Sequence, residues 1–336
     1  MLNTAIIGYG GIAKAAHVPA YKVLEEKRKA RIIAACDIYP EQFPGKLEIN
    51  AGTAADTLKT LHTYTDLDAM LVNEQIDMID ICLPTYLHSK YTIDMLERGY
   101  HVFCEKPMAI TFGECEAMIK TTLAAKGKLM VGQCLRFSEE YLFLKKIIDS
   151  NEFGKPISAV FRRQSSPPPN SRDNWMLDYS RSGGCLLDLH IHDIDIARFL
   201  FGEPEAVSCV TGKIHTEDDI AHSRLIYKNL AVLAIGDWSQ YGINFCADYR
   251  AGFEKATVIC EGGIVTVYPH KGEPWRPPAD SSNMYIKEIE YLIDVAANGT
   301  INTRNTPQSA ALSVKLIAAL KESAEKNGKI IEYTGS

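Results

Sequence analysis

The sequence predicts an α/β protein whose N-terminal half is a doubly wound parallel sheet. An α+β domain with a large, open, mostly antiparallel sheet is expected to follow it. Three observations carry this. Short apolar runs at 5–7, 32–36, 78–83, 102–104 and 129–131 alternate with amphipathic segments, the pattern of βα units whose strands are buried on both faces. A glycine turn joins the first run to the first helical segment. Beyond about residue 135, apolar runs succeed one another with few helices between them, as in an antiparallel sheet.

The turn reads Gly8-Tyr9-Gly10-Gly11-Ile12-Ala13, a G-x-G-x-x-A pattern between strand and helix. Gly8 permits the tight bend, Gly10 lets a pyrophosphate approach the backbone, and Ala13 keeps the helix close to the sheet. The amides of the turn, including those of Gly11 and Ile12, face the phosphates with the partial positive charge of a helix start. This is the dinucleotide fingerprint of a Rossmann domain. Asp37 ends the next run, where a carboxylate accepts hydrogen bonds from an adenosine ribose and repels a 2′-phosphate. Ile38 rather than arginine follows, so NAD is expected as cofactor and NADP is disfavoured. Packing glycines and a capping aspartate are the alternative.

The prolines and glycines of 40–61 break a clean helix and predict a loop or short helix, then a weak strand near 62–64. A helix is expected from 86 to 98, stopping at Gly99. Glu105-Lys106-Pro107 then places Lys106 at the carboxyl end of a strand, where open α/β sheets bind ligands. Pro107 restricts Lys106 to an extended backbone and allows a cis bond. A lysine so placed can hold a substrate oxygen and stabilise negative charge on it, although the same tripeptide also occurs on ordinary loops. Thr111 with Glu114 forms a capping box for a helix that ends near Gly127.

Ser138 opens the next helix. Strands are expected at 157–163, 206–210, 231–238, 256–260 and 264–268, a loop at 165–170, and closing helices at 283–297 and 307–326. The segment from Gly183 to Asp195 reads as a loop continuing into a helix. On that helix Asp188 and His192, four apart, share a face, and a carboxylate beside an imidazole orients it and favours its protonated form. A structural pairing is the alternative. His190 and His192, two apart, point about 200° apart around a helix, so they cannot both hold a metal unless the segment is not helical, and no metal centre is expected. The boundary is placed at 134/135, with a dinucleotide-binding domain over 1–134 and a substrate domain over 135–336.

A net charge of −6 argues against a basic face for nucleic acid. No apolar run approaches the roughly 18 residues of a membrane span, and the opening residues read as a short strand rather than a signal peptide. The nine cysteines include no Cys-x-x-Cys pair, so buried thiols in a reducing cytoplasm are expected rather than disulfides.

Together these landmarks resemble the family of glucose–fructose oxidoreductases, inositol dehydrogenases and rhizopine-catabolism dehydrogenases (Gfo/Idh/MocA). The resemblance rests on the glycine turn, Cys82-Leu83-Pro84-Thr85-Tyr86-Leu87-His88, Glu105-Lys106-Pro107, Gly183-Gly184 through Asp195, and Glu288, Gly299 and Thr306 near the end. It implies a Rossmann domain followed by a domain whose open sheet mediates homodimers or homotetramers. It also implies an NAD-dependent oxidoreductase acting on a hydroxyl-bearing carbon of a sugar, sugar acid or cyclitol. Lys106, Asp188 and His192 match the family's catalytic lysine, aspartate and histidine. There the histidine takes the hydroxyl proton, the aspartate orients it, and the lysine polarises the same oxygen. Pro84, His88 and Glu105 match positions near the cofactor. Cys185 and His190 stand where glycine is usual, and 40–62 is longer and less regular than usual. His190 is thereby a candidate for a polar group near the substrate, and Trp175, Trp238 and Tyr285 are candidates to line it, with ordinary loop or core roles as the alternative for each. Two further readings stay open: glycoside hydrolysis through oxidation and elimination on bound NAD, and a catalytically silent NAD-binding sensor or structural subunit.

Overall fold

The computed structural model describes residues 1–43, 48–49, 52–53, 61–168, 171–278 and 282–335. Most of the expected loop or short helix over 40–61, and the last two residues of the 165–170 loop, lie outside the described residues. Contacts divide the chain into two compact units. One comprises Met1–Ala109, Gly113–Phe137 and Ser282–Ala311, and the other Ile110–Phe112, Ser138–Ser281 and Leu312–Ser336.

The first unit contains β1 (Leu2–Ile7), β2 (Ala30–Cys36), β3 (Glu48–Ile49), β4 (Gly52–Thr53), β5 (His62–Tyr64), β6 (Met78–Ile81), β7 (His101–Glu105) and β8 (Leu129–Gly132). Six of these form one sheet in the order β5-β2-β1-β6-β7-β8, with every pairing parallel. Ala5, Ile6, Ile79, Ile81, Val102, Phe103, Met130 and Val131 are wholly buried, which is why these strands read as unbroken apolar runs. The strand order reverses direction at β1 and β6, and a doubly wound sheet opens its ligand crevice beyond the carboxyl ends at such a point.

The first helical segment carries one irregularity that the sequence explains. Ala13–His17 form a π-helical turn before the helix Val18–Glu26. Pro19 has no amide proton for the α-helical ladder, and a widened turn ahead of it absorbs that interruption.

The second unit holds β9 (Pro156–Gln164), β10 (Ala206–Gly212), β11 (Ile220–Ile226), β12 (Ala231–Asp237), β13 (Cys246–Phe253), β14 (Ala256–Glu261), β15 (Ile264–Pro269) and β16 (Ile331–Glu332). They form a sheet in the order β15-β14-β13-β9-β12-β11-β10-β16, antiparallel except between β9 and β12. Burial alternates along β9, β11, β14 and most of β12. Ala159, Phe161, Val232 and Ala234 are buried, while Val160 and Leu233 between them are exposed, the mark of a sheet with one covered face. The helix Ile191–Phe201 is tied to the sheet by Asp193, which accepts both Nε and Nη2 of the buried Arg163 at 3.0 and 3.2 Å.

Strands β11 and β13 escaped the sequence reading because polar residues (His222, Ser223 and Arg224; Asp248 and Arg250) interrupt their apolar pattern. The continuous helix expected after Gly183 is also corrected. Two helices, Gly184–Asp188 and Ile191–Phe201, meet at Leu189 and His190. The amides of Leu189 and His190 both donate to the Cys185 carbonyl, and that of His192 donates to Leu189. The four-residue spacing of Asp188 and His192 therefore straddles a break in the ladder.

Candidate active site

In the first unit, the glycine turn follows β1 directly. Gly8 has φ +90°, and an added Cβ would lie 2.7 Å from the Cys82 carbonyl oxygen, so both its backbone and its neighbour require glycine. At Gly10 an added Cβ would meet nothing within 4 Å, leaving an open backbone surface. Ala13 is wholly buried with Ile6, Tyr9, Val18, Ala35, Phe43 and Cys82, and Ile12 packs against that cluster.

Asp37 stands beside this turn at the end of β2. Its Oδ2 accepts from Tyr9 N at 2.8 Å and its Oδ1 from Tyr39 N at 2.9 Å. Each carboxylate oxygen keeps a second acceptor site for a ribose hydroxyl. An open glycine backbone with a fixed acceptor beside it fits the phosphates and ribose of a dinucleotide. Lys14, which the sequence reading passed over, faces the same place, its Nζ 3.5 Å from Gln42 Oε1. Burial lowers its pKa, and the Asp37 charge opposes that shift.

At the end of β7, the Lys106–Pro107 bond is cis. The Lys106 amide donates to Glu105 Oε2 at 3.0 Å. His88 is buried, with Nδ1 2.7 Å from the Pro107 carbonyl and Nε2 2.7 Å from the Leu83 carbonyl. It thus ties the turn after β6, where Pro84 caps the helix Thr85–Glu97, to the turn after β7. Burial lowers the His88 pKa against the pull of the two carbonyls.

Beneath Lys106 lies a charged cluster. The wholly buried His17 places Nδ1 2.8 Å from Asp80 Oδ2 and Nε2 3.0 Å from Glu105 Oε1. Burial alone would strip its second proton, but the charge of Asp80, the Cys82 thiol and their hydrogen bonds raise its pKa well above the ordinary imidazole value. Burial likewise pushes Glu105 up, yet the hydrogen bond and charge of His17, together with Lys106, hold it below the usual carboxyl range. The helix Met284–Asn298 adds Tyr285, whose ring centroid is 6.1 Å from that of His17, and the wholly buried Glu288. Burial, then the Glu105 charge, raises Glu288 well above the ordinary glutamate value.

The second unit carries the other predicted residues. Asp188 ends the helix Gly184–Asp188 and is 8% exposed, and the half-buried His192 lies in the first turn of the next helix. His190 is wholly buried, with Nε2 2.8 Å from Ser223 Oγ. Its ring lies so close to Gly236 that a Cβ there would sit 2.7 Å from His190 Cβ. Burial, then the charges of Arg163 and His222, pushes its pKa down to about 3. Trp175 is half-buried in the 3-10 segment Arg172–Leu177.

Gly8, Gly10, Asp37, Pro84, His88, Glu105 and Lys106 thus gather along the carboxyl edge of the first sheet, with Tyr285 in the same unit. Asp188, His190, His192 and Trp175 belong to the second unit. The sequence reading missed His17 and Asp80. Their one signal was a charged residue inside the buried run Met78–Ile81, since a buried carboxylate demands a partner.

Known proteins share parts of this chain's sequence and its fold. The chain is 34% identical over 204 residues to inositol 2-dehydrogenase of Rhizobium meliloti (strain 1021), covering 59% of this chain and 54% of that protein. It is 30% identical over 194 residues to 2,7-anhydro-N-acetylneuraminate hydratase of Mediterraneibacter gnavus, covering 57% and 49%. The chain therefore spans about half the length of the curated relatives it matches. Its fold matches the crystal structure of aldose-aldose oxidoreductase from Caulobacter crescentus complexed with glycerol, with a TM-score of 0.83 at 22% identity over 99% of both chains. Residues 2–133 match the oxidoreductase family with an NAD-binding Rossmann fold, and residues 141–266 match the GFO/IDH/MocA C-terminal domain. The chain belongs to the Gfo/Idh/MocA family of oxidoreductases.

Proposed function

We propose that this protein is an NAD-dependent oxidoreductase acting on a hydroxyl-bearing carbon of a sugar, sugar acid or cyclitol. The observation that carries the reading is the row at the carboxyl ends of β1, β2 and β7: the glycine turn, Asp37 and Lys106. Gly8, Gly10, Gly11 and Ile12 hold the pyrophosphate, Asp37 accepts from the adenosine ribose, and Pro84, His88 and Glu105 border the nicotinamide end. When bound, NAD supplies the hydride acceptor. The Lys106 ammonium holds a substrate oxygen and stabilises negative charge there. His192 takes the hydroxyl proton, and Asp188 orients its ring. Trp175 and Tyr285 line the substrate, while His190, bonded to Ser223, supports that lining from within the second unit. Residues 1–134 serve the dinucleotide and 135–336 the substrate.

The same reading makes the protein a cytoplasmic homodimer or homotetramer assembled through the uncovered sheet face. Exposed Val160, Val210, Leu233, Ile264 and Tyr268 support the assembly. The cysteines, eight of nine buried and none in a disulfide among the described residues, support the compartment. No helix among the described residues is long and apolar enough to cross a membrane.

A second reading, a redox-neutral reaction on retained NAD, is favoured by the likeness to a protein named as a hydratase. Incubation with NAD and a panel of polyols, aldoses, sugar acids and inositols separates them. Growth of the NADH band supports the dehydrogenase. Substrate conversion without that growth supports the redox-neutral reading, and no conversion of any compound by NAD-loaded protein contradicts both.

A further inference from the structure

Lys106 is the one candidate catalytic group of the first unit, and its backbone is fastened to something unusual. Its amide donates to Glu105 Oε2, while Glu105 Oε1 faces His17 Nε2 and His17 Nδ1 faces Asp80 Oδ2. Both nitrogens of a wholly buried ring meet carboxyl oxygens at hydrogen-bond distance, so a ring that donates from both satisfies every partner. We propose that His17 is a positioning residue for Lys106, clamping Glu105 through a ring that donates from both nitrogens. The proposal rests on the reading of Lys106 as the group that meets substrate.

The surroundings favour a charged ring. Asp80 and the end-of-strand Cys82 face it from β6, Glu105 from β7, and Tyr285 and Glu288 from the helix Met284–Asn298. The Phe103 ring meets it edge-on at 5.4 Å, and Tyr21 of the helix Val18–Glu26 lies by Asp80 and Cys82. Beyond His17, the Lys106 charge also acts on Glu105. Both oxygens of Glu288 lack a hydrogen-bond partner among the described residues, and burial with the Glu105 charge raises its pKa. His17 Nδ1, Asp80 and Cys82 Sγ also lie within 4.8 Å of one another, a spacing a metal ion would accept. The His17–Asp80 hydrogen bond and the Cys82 thiol's bond to Asp80 Oδ1 account for that spacing. A charge-assisted pair of hydrogen bonds holds geometry more firmly than neutral ones. It reaches Lys106 through the backbone amide.

The test uses full-length protein with 15N-labelled histidine, the His17 signals being identified by their loss in His17→Asn. Both ring nitrogens should stay protonated at pH values where an ordinary imidazole has lost its second proton. In His17→Asn the Lys106 amide should exchange with solvent roughly tenfold faster or more, as expected for loss of a hydrogen bond to a charged group, with Val102 and Phe103 changed less. A ring that gives up its second proton where an ordinary imidazole does, or unaltered Lys106 exchange, overturns the proposal. If His17→Asn does not fold, Glu105→Gln serves: it should lower the pH at which His17 titrates and speed the Lys106 amide, and no change in either contradicts the clamp. Neither readout uses a substrate. Failure of the oxidoreductase reading would instead appear as normal turnover by Lys106→Ala.

Discussion

A Cβ on Gly8 would lie 2.7 Å from the carbonyl oxygen of Cys82, so the turn after β1 is pressed against the end of β6. Gly10, two residues on, faces open space. The two glycines should therefore fail differently. Gly8→Ala adds a clash to a left-handed backbone that costs about 1–2 kcal/mol, so both the melting temperature and NADH affinity should fall. Gly10→Ala should leave stability within about 1 kcal/mol of the native value yet weaken NADH binding, because the methyl occupies the place the phosphates approach. Equal loss of stability in the two variants, followed by calorimetry, would contradict this division.

Asp37 should set the choice between dinucleotides. In Asp37→Ser the acceptor pair held by the Tyr9 and Tyr39 amides is lost, and the charge that repels a 2′-phosphate goes with it. NADH should bind about tenfold more weakly, the worth of roughly 1.4 kcal/mol, while NADPH gains relative to it, helped by nearby Lys14. Fluorescence titration with both nucleotides measures the ratio, and an unchanged ratio counts against the assignment.

The two buried histidines should shape stability against pH with opposite signs. The His17 value is raised above 6.5. Its contribution is complete below the ordinary imidazole pKa and declines above it, because the unfolded chain sheds a proton that the folded chain keeps. His190 is pushed from 6.5 to about 3. Its contribution is complete above 6.5 and is lost as the pH falls toward 3, since the unfolded chain takes up a proton that the folded chain refuses. Each slope approaches about 1.4 kcal/mol per pH unit. Glu288, raised above its ordinary 4.5, adds a decline that begins above that value. Urea unfolding across the range should show His17→Asn flattening the alkaline limb and His190→Asn the acid limb; no change in either slope would refute the assignment.

Arg163 and Asp193 are almost wholly buried and bonded twice. Asp193→Ala, which strands the guanidinium, should cost about 3–5 kcal/mol in denaturant unfolding. Replacing both partners with apolar residues of similar size should recover much of that loss. A double variant as unstable as the single one would show that the pair is not an isolated unit.

The sequence revealed what depends on local pattern. Apolar runs buried on both faces marked the first sheet, and the glycine turn with Asp37 marked its crevice, because each signal lies within a few residues. What escaped depends on distance or on broken rules. His17 meets Asp80 and Glu105 across 63 and 88 positions, so nothing beside it announces its partners. Strand β11 was hidden because Ser223 faces inward to bond His190, which puts a polar residue where alternation expects an apolar one. Asp188 and His192 were assigned to one helical face by a spacing rule that presumes the unbroken ladder absent at Leu189 and His190.

Lys106 and His192 test the central claim most directly, through the NADH absorbance band. With NAD and a polyol or inositol that the native protein oxidises, Lys106→Ala and His192→Ala should each lose at least about a hundredfold in turnover, the scale of one proton-transfer or charge-stabilising group. Both variants should still bind NADH with near-native affinity. Turnover that survives intact in both would contradict the account.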